Sequence, residues 1–348
     1  MANQEAQPVT AIEIDPQEND ADSALDERLT AYTTSLSSSV FDYPVEHGRT
    51  YHSFRAGSYQ LPNDEREMGR LDLTHYMTFR ALGDKLFLAP VDNDKVHRVL
   101  DIGTGTGIWA IDVAETFPAA EIIGNDLSPI QPQWYPVDPL PPPSTTPTNN
   151  TPRVPPNVKF EIDDVESPWA HPAPFDYIFC RYMVACIASW PRLIQSIHDN
   201  LRPGGWAEFQ DYNFQFYSTD GTLSPTSPAY TWATKLLSLA DRIGRTASPG
   251  PHLEAWVHAA GFQNVTVKKL PIPVGPWPKD PVLKEVGTCN LIQMLNGLEA
   301  FSMRLLCDAD GWSEEQVHAF LTEVRKDLKR PGVHAQYDMY VVCGQRAE

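Results

Sequence analysis

A glycine-rich turn at residues 99–107 constrains the fold more than any other part of the sequence. It reads Val-Leu-Asp-Ile-Gly-Thr-Gly-Thr-Gly, an apolar run that ends on Asp101 and continues into three alternating glycines. Residues 96–100 are β-rich, and the apolar residues after the turn recur with helical spacing at Ala110, Val113, Ala114 and Phe117. The pattern predicts a strand, a turn and a helix. Because glycine lets the backbone bend sharply and approach a ligand closely, we expect this turn to contact a nucleotide.

Further apolar segments alternate with helical patterns and predict a mainly parallel sheet. Four of them follow the turn, at 121–126, 158–162, 175–180 and 206–211. Two more, at 265–270 and 337–344, predict closing strands. Such alternation implies a parallel sheet with helices on both faces, in which ligands bind at the carboxyl ends of the strands. We therefore expect an α/β fold with about seven strands.

Helical patterns fill the segments between and after these strands. One helix is expected to begin at an Asn63 cap that is followed by Asp64 and Glu65. A second contains Leu193, Ile194 and Ile197 and ends before the Pro203-Gly204-Gly205 turn. The last third predicts four helices, at 228–244, 251–260, 283–307 and from a capping box at Ser313.

Two classes of cofactor-binding protein place a glycine turn after the first strand. Gly105-x-Gly107-x-x-Ala110 formally satisfies the dinucleotide pattern G-x-G-x-x-G/A. The longer string from Asp101 to Gly107 fits D-x-G-x-G-x-G better. Asp126 ends the second strand about twenty residues later, where a carboxylate can accept hydrogen bonds from both ribose hydroxyls. We favour the longer pattern and keep a dehydrogenase as the more distant alternative.

The pattern D-x-G-x-G-x-G is the first motif of the Rossmann-like class I S-adenosylmethionine-dependent methyltransferases, which this chain resembles. Asp163-Asp164-Val165-Glu166 ends the third strand, where these enzymes place an acid that faces the adenine amino group. Leu201–Trp206 resembles the family's L-x-P-G-G turn. The resemblance implies S-adenosyl-L-methionine as cofactor. It implies a cofactor site formed by Asp101, Gly103, Thr104, Gly105, Gly107, Asp126, Leu127, Asp163, Asp164, Val165 and Arg181. For Arg181, pairing with a neighbouring acid is the alternative interpretation.

Within this family the chain resembles the LaeA-like fungal methyltransferases of secondary metabolism. The matching stretches are residues 43–52, 61–65, 99–109, 126–132 and 155–164. The resemblance covers about residues 40–215 and departs from the family pattern at 133–154. It implies a methyltransferase of fungal secondary metabolism.

The resemblance also suggests how the domain is organised. Residues 1–38 are acidic and polar, and we expect them to form a disordered tail. The methyltransferase domain is expected to span 39–348. We expect it to consist of an N-terminal strap and helix at 39–95, a core at 96–215 with a proline-rich insertion at 132–156, and a helical lid with closing strands at 216–348.

The methyl acceptor cannot be identified from the sequence. We expect O-methylation of a small fungal metabolite, because apolar residues of the C-terminal helices can form a lid over such a molecule. The same residues can instead belong to an ordinary core. They are Trp232, Leu236, Leu239, Trp256, Leu291, Met294 and Met303. The alternative is a LaeA-like regulatory protein that acts through protein partners, with a protein acceptor or none. The acidic tail and the proline-rich insertion would then be its docking segments.

No sequence motif assigns the catalytic residues. Tyr51 and His52 are our candidates for the mouth of the site, because the strap precedes the first strand and can fold over the cofactor. A histidine can take a proton from a hydroxyl acceptor, and the other candidates for that role are His47, His75 and His252. The sulfonium methyl is already activated, so a dedicated base is not required. Glu208 and Asp211 could be supporting groups or metal ligands, and we expect no metal requirement.

Charge and composition restrict the partners. The chain has 27 Lys and Arg against 45 Asp and Glu, a net charge of -18, which argues against binding to nucleic acid. The five cysteines are scattered, which suggests a reducing compartment without a zinc site. No apolar run reaches the length of a membrane span and the N-terminus is acidic. We expect a small-molecule partner, no membrane, and a cytoplasmic location, with the nucleus as the alternative.

Overall fold

The computed structural model of the chain describes residues 12–13, 43–52, 60–132 and 154–348. Within these ranges two short strands, β1 (Val45–Glu46) and β2 (Arg49–Thr50), pair in an antiparallel hairpin. Seven strands form the main sheet: β3 (Arg98–Ile102), β4 (Glu121–Asp126), β5 (Val158–Ile162), β6 (Phe175–Arg181), β7 (Leu201–Tyr217), β8 (Gln263–Pro273) and β9 (Gln336–Gln345). The predicted α/β fold with seven strands is confirmed.

The strand order places a crevice beside the first strand of the main sheet. The order is β5-β4-β3-β6-β7-β9-β8, with β3 to β7 parallel and β9 antiparallel to both of its neighbours. The chain moves outward from β3 to β5 and then returns to β6, which pairs with β3 on its other side. Ligands bind at the carboxyl ends of the strands where the direction of winding reverses in this way.

Helices cover both faces of the sheet. They are α1 (Glu65–Ala81), α2 (Ile108–Val113), α3 (Trp190–Asn200), α4 (Pro228–Arg242), α5 (Gly250–Ala259), α6 (Pro281–Cys307) and α7 (Glu314–Leu328). Successive residues of β3 face opposite sides, so Val99 belongs to one hydrophobic cluster and Leu100 to the other. Helices α3 and α5 pack in the cluster of Leu100, while α1, α2, α4, α6 and α7 pack in the cluster of Val99.

Helix α1 begins one residue later than predicted. Its N-cap is Asp64, whose carboxylate accepts the amide of Glu67 at 3.0 Å and also pairs with Arg49. The prediction of Asn63 as the cap is therefore wrong. A carboxylate interacts more favourably with the positive end of the helix than a neutral amide does.

The apolar residues of the last third lie mainly in the core. Helix α6 is buried around most of its circumference, as expected of a helix that packs on several sides. Trp256 of α5 stacks on Trp190 at 6.1 Å on the opposite face of the sheet. Of the seven apolar residues named for the predicted lid, five are buried in the main cluster: Trp232, Leu239, Leu291, Met294 and Met303.

Two of the predicted segments lie largely outside the described residues. These are the acidic tail, apart from residues 12 and 13, and the proline-rich insertion between 133 and 153. The backbone oxygen of Glu13 accepts the amide of Lys279 at 2.8 Å. All five cysteines are free thiols. Across the parts of the chain that the structure covers, no helix combines the length and apolar character needed to cross a membrane.

Candidate cofactor groove and adjoining apolar cavity

A groove of about 1120 Å³ opens at the carboxyl ends of β3, β4, β5 and β6. Helix α1 contributes Leu71, Thr74 and His75 to its opposite wall. Nine of the eleven residues predicted for the cofactor site line this groove, namely Gly103, Thr104, Gly105, Asp126, Leu127, Asp163, Asp164, Val165 and Arg181. The topology thus brings together residues from four separate strand ends.

The three glycines of the turn have left-handed φ angles of 64°, 57° and 81°. A Cβ on Gly103 would lie 2.3 Å from the sulfur of Met183, and one on Gly107 would lie 2.4 Å from the ring of Phe160. At Gly105 the nearest atom to such a Cβ is 3.6 Å away, on Leu71. The rigid ring of Phe160 therefore excludes a side chain at 107, whereas at 103 the flexible side chain of Met183 would have to move. Gly105 leaves its backbone open toward the groove.

Asp101 and Gly107 do not line the groove. Asp101 is buried beneath the turn, where its carboxylate accepts the hydroxyl of Thr104 at 2.6 Å. Burial raises the pKa of Asp101 to about 7, although the Thr104 hydrogen bond and the charge of Arg181 oppose the shift. Gly107 precedes α2. Both residues support the conformation of the turn, whereas Gly103, Thr104 and Gly105 line the groove.

Asp126 connects the end of β4 to the glycine turn. Its two carboxylate oxygens accept the amides of Gly105 and Ser128, each at 2.9 Å. Burial raises the pKa of Asp126, while these amides and the charge of His52 act in the opposite direction. The carboxylate is thus fixed at the groove wall. His52 is near enough to influence it.

The acids that follow β5 hold their own backbone as well as lining the groove. Asp163 accepts the amide of Asp164 at 2.8 Å, and Asp164 accepts the amide of Glu166 at 3.0 Å. Such side chain to backbone bonds form a tight turn after the strand. This turn places Asp163, Asp164 and Val165 together in the wall of the groove.

Arg181 is held by a relay of side chains rather than by a direct carboxylate bridge. It donates to Nδ1 of His75 at 2.8 Å, and Nε2 of His75 lies 3.0 Å from Asp112. Since arginine only donates, Nδ1 must accept, and Nε2 therefore carries the proton that is donated to Asp112. Burial lowers the pKa of both Arg181 and His75. Arg181 thus lines the groove as a half-buried residue, while both ring nitrogens of His75 are engaged.

The remaining candidate catalytic residues are spread over the strap and the surface. Tyr51 is buried with its ring 3.5 Å from the guanidinium of Arg304, and it lines neither cavity described here. His52 is also buried. His47 bonds Glu314 at 2.7 Å and so attaches the strap to the start of α7. His252 lies on the exposed side of α5, against Trp256.

A second cavity of about 800 Å³ adjoins the groove and is almost wholly apolar. Tyr182 and Cys186 line both spaces. The other walls come from β7, α4 and α6, through Phe214, Phe216, Trp232, Leu236, Met294 and Phe301. None of the sequence motifs described above predicts this cavity. The alternation of Tyr212, Phe214 and Phe216 was the available signal, because it shows that β7 continues past the predicted end.

The segment between the two spaces has a constrained backbone. Tyr182 and Ala185 have positive φ angles of 59° and 56°, which non-glycine residues adopt at a cost. Asp211 secures the segment because its carboxylate accepts the amide of Met183 at 2.8 Å. Burial raises the pKa of Asp211 to about 7. The hydroxyl of Tyr182 accepts a bond from Arg70 at 3.1 Å.

Glu208 has a structural position within the sheet. Its carboxylate accepts the amides of Leu88 and Ala89 and the hydroxyl of Tyr177. It is fully buried and lines neither space. Among the described residues, no three His, Cys, Asp or Glu side chains are grouped so as to hold a metal ion.

The groove has the chemical features that S-adenosylmethionine requires. The turn leaves Gly105 open for close backbone approach, and Asp126 is positioned as an acceptor for hydroxyl groups. The half-buried Arg181 lines the same space. Glycine, carboxylate and guanidinium thus match a ligand that carries ribose hydroxyls and an amino-acid carboxylate.

Comparisons with known proteins agree with this chemistry. The family model described as a methyltransferase domain matches residues 73–267. Methyltransferase pytC of Aspergillus terreus is 44% identical over 342 residues, which cover 98% of each chain. Secondary metabolism regulator LAE1 of Cochliobolus heterostrophus is 32% identical, over 87% of this chain and 95% of its own. Probable methyltransferase tdiE of Emericella nidulans is 33% identical, over 84% and 86%.

The family match covers more than half of the chain and includes the glycine turn, all three acidic strand ends and the segment between the two spaces. The relatives extend the similarity to nearly the whole length. The chain therefore belongs to the class I S-adenosylmethionine-dependent methyltransferases, and its cofactor is S-adenosyl-L-methionine.

Proposed function

We propose that this enzyme transfers a methyl group to an oxygen atom of a small, mainly apolar molecule of fungal secondary metabolism. The observation that carries the proposal is the apolar cavity that shares Tyr182 and Cys186 with the cofactor groove. A molecule held there would present one polar atom to the groove while its apolar body contacts Phe214, Trp232 and Met294. Apolar cavities with a few polar groups at one end are typical small-molecule sites.

The cofactor residues are assigned within this proposal. Gly103, Thr104 and Gly105 would hold the methionine end, with the guanidinium of Arg181 as a partner for its carboxylate. Asp126 and Leu127 would contact the ribose, and the turn at 163–165 would contact the adenine. When bound, S-adenosylmethionine supplies an activated methyl group: the acceptor oxygen forms the new C–O bond, the C–S bond breaks to leave S-adenosylhomocysteine, and the hydroxyl proton passes to solvent.

The protein's own contribution would be to orient the acceptor and to exclude water. Tyr182 is held by Arg70 at its hydroxyl and by Phe214 and Tyr212 at its ring. It would therefore form a fixed wall against which the acceptor lies. Both ring nitrogens of His75 are engaged, so no proton transfer is assigned to it.

Filling the cavity tests this proposal. Leu236 lines the cavity from α4, so Leu236→Trp should raise the KM for a hydroxylated aromatic acceptor by about tenfold while leaving the affinity for S-adenosylhomocysteine unchanged. Ile243, exposed at the end of the same helix, provides the matched control as Ile243→Trp. Acceptors would first be selected by product formation with the wild-type enzyme, followed by mass spectrometry. Equal acceptor kinetics in all three proteins would contradict the proposal.

A regulatory function is the second candidate, and the similarity to LAE1 supports it. In that case the chain would bind the cofactor and act on, or through, a protein partner; the relative's name describes that relative as a secondary metabolism regulator. The two candidates differ in the fate of the methyl group. Metabolite profiling with labelled methionine in strains with and without the gene should show a labelled small molecule if the first is correct, and none if the second is.

A further inference from the structure

Asn63 has a side chain whose hydrogen-bonding groups are buried and unused. Only 5% of the residue is exposed, and neither Nδ2 nor Oδ1 has a hydrogen-bond partner in the part of the chain that the structure describes. Its backbone amide is bonded, since it donates to the oxygen of Thr50 at 2.9 Å. The orphaned groups are therefore confined to the side-chain amide.

A buried side-chain amide without hydrogen bonds lowers the stability of the fold unless a ligand supplies the missing bonds. The large majority of buried side-chain polar atoms in proteins have partners, and leaving a buried group unpaired is unfavourable. Asn63 is not required as the cap of α1, because Asp64 performs that function. Within the described residues, no hydrogen bond accounts for the buried side-chain amide of Asn63.

The position of Asn63 indicates what could bind it. Gln60 and Leu61 line the apolar cavity, whereas Pro62 and Asn63 line the cofactor groove. The segment 60–63 therefore runs along the boundary between the two spaces. Asn63 is in the wall of the groove, which also contains Gly105, Asp126 and Arg181.

We propose that the Asn63 amide hydrogen-bonds the bound S-adenosylmethionine, which makes Asn63 a cofactor-binding residue outside the Rossmann-like core. This inference rests on the assignment of the cofactor to this groove. Because Nδ2 donates and Oδ1 accepts, the complementary group both donates and accepts. A ribose hydroxyl meets that requirement, and so does the ammonium and carboxylate pair of the methionine end.

Calorimetric titration with S-adenosylhomocysteine tests the proposal without any acceptor. Asn63→Leu removes both polar groups at similar size, and we expect its affinity to be about tenfold lower. Its melting temperature without ligand should equal or exceed that of the wild type, because an unpaired buried amide has been removed. Asn157→Ala is the matched control: Asn157 bonds the backbone oxygens of Phe117 and Ala120, so this variant should melt earlier and bind normally.

The outcomes separate the possible failures. Unchanged affinity in Asn63→Leu overturns the proposal, and so does a change confined to the acceptor KM, which would place the amide on the acceptor. If the wild-type protein does not bind S-adenosylhomocysteine, the groove assignment itself fails and the inference fails with it. Titration with 5′-methylthioadenosine locates the bond: an equal loss indicates the ribose, whereas a loss seen only with S-adenosylhomocysteine indicates the methionine end.

Discussion

Asp126 combines two functions in one carboxylate. It accepts the amides of Gly105 and Ser128, and it faces the groove where ribose hydroxyls are expected. Asp126→Ala should therefore weaken S-adenosylhomocysteine binding by at least about tenfold, because both the turn and the charged acceptor are lost. Calorimetry measures this loss directly.

The control for that experiment is an acid at the other end of the sheet. Asp176 accepts the amides of His97 and Arg98, each at 2.8 Å, near the start of β3. Asp176→Ala should lower the melting temperature without altering cofactor affinity. If the two variants lose affinity equally, Asp126 has no specific contact with the ligand.

Asp211 makes stability depend on pH. Burial raises its pKa from 3.8 to about 7, so the folded state binds the proton more tightly than the unfolded state does. Its contribution to stability is therefore present below about pH 4 and is lost as the pH rises toward 7. Relative to the wild type, Asp211→Asn should gain on the order of 4 kcal/mol between these values. Chemical unfolding at several pH values measures the difference, and parallel curves would contradict it.

At the scale of residues, the candidate site residues that the sequence predicts are of two kinds. Some lie close together in the chain, and others stand at the ends of adjacent strands. The glycine turn and Asp126 are examples, since strand ends in a parallel sheet meet at one edge. Asn63 was predicted as the cap because Asn and Asp are both good caps, and the sequence does not show which of the two adjacent residues performs that function. Tyr51 was expected near the site mouth, and its ring packs on Arg304, which lines the apolar cavity.

At the scale of elements, the turn between β3 and α2 depends on steric exclusion as well as on φ. A Cβ on Gly107 would meet the ring of Phe160 at 2.4 Å, so Gly107→Ala should destabilise the fold by about 3 kcal/mol or more. Gly83, after α1, has a similar φ of 74° but no atom within 4 Å of such a Cβ. Gly83→Ala should cost only about 1 kcal/mol. Equal losses in urea unfolding would contradict this account.

The bounds of most elements could be predicted because their apolar periodicity is strong. Strands β4 and β5 match the predicted residues, and the helices of the last third begin and end within about two residues of expectation. Strand β7 extends to Tyr217, six residues beyond the predicted Asp211. That extension was missed because Asn213 and Gln215 interrupt its apolar character.

At the scale of the whole molecule, the apolar cavity is assembled from parts that are distant in sequence. Its walls come from residues 60–61, 182–186, 214–216, 232–237 and 294–305. No local pattern specifies that these segments converge, whereas the parallel sheet follows from alternation alone. The cofactor could therefore be predicted from the sequence, but the acceptor side could not.

A crystal structure of the enzyme with S-adenosylhomocysteine tests the central claim most directly, because it shows both where the cofactor binds and which way its sulfur points. We predict that the ribose will contact Asp126, that the adenine will lie beside residues 163–165, and that the sulfur will face the apolar cavity past Tyr182. Binding elsewhere on the molecule, or a sulfur atom directed away from that cavity, would contradict the account.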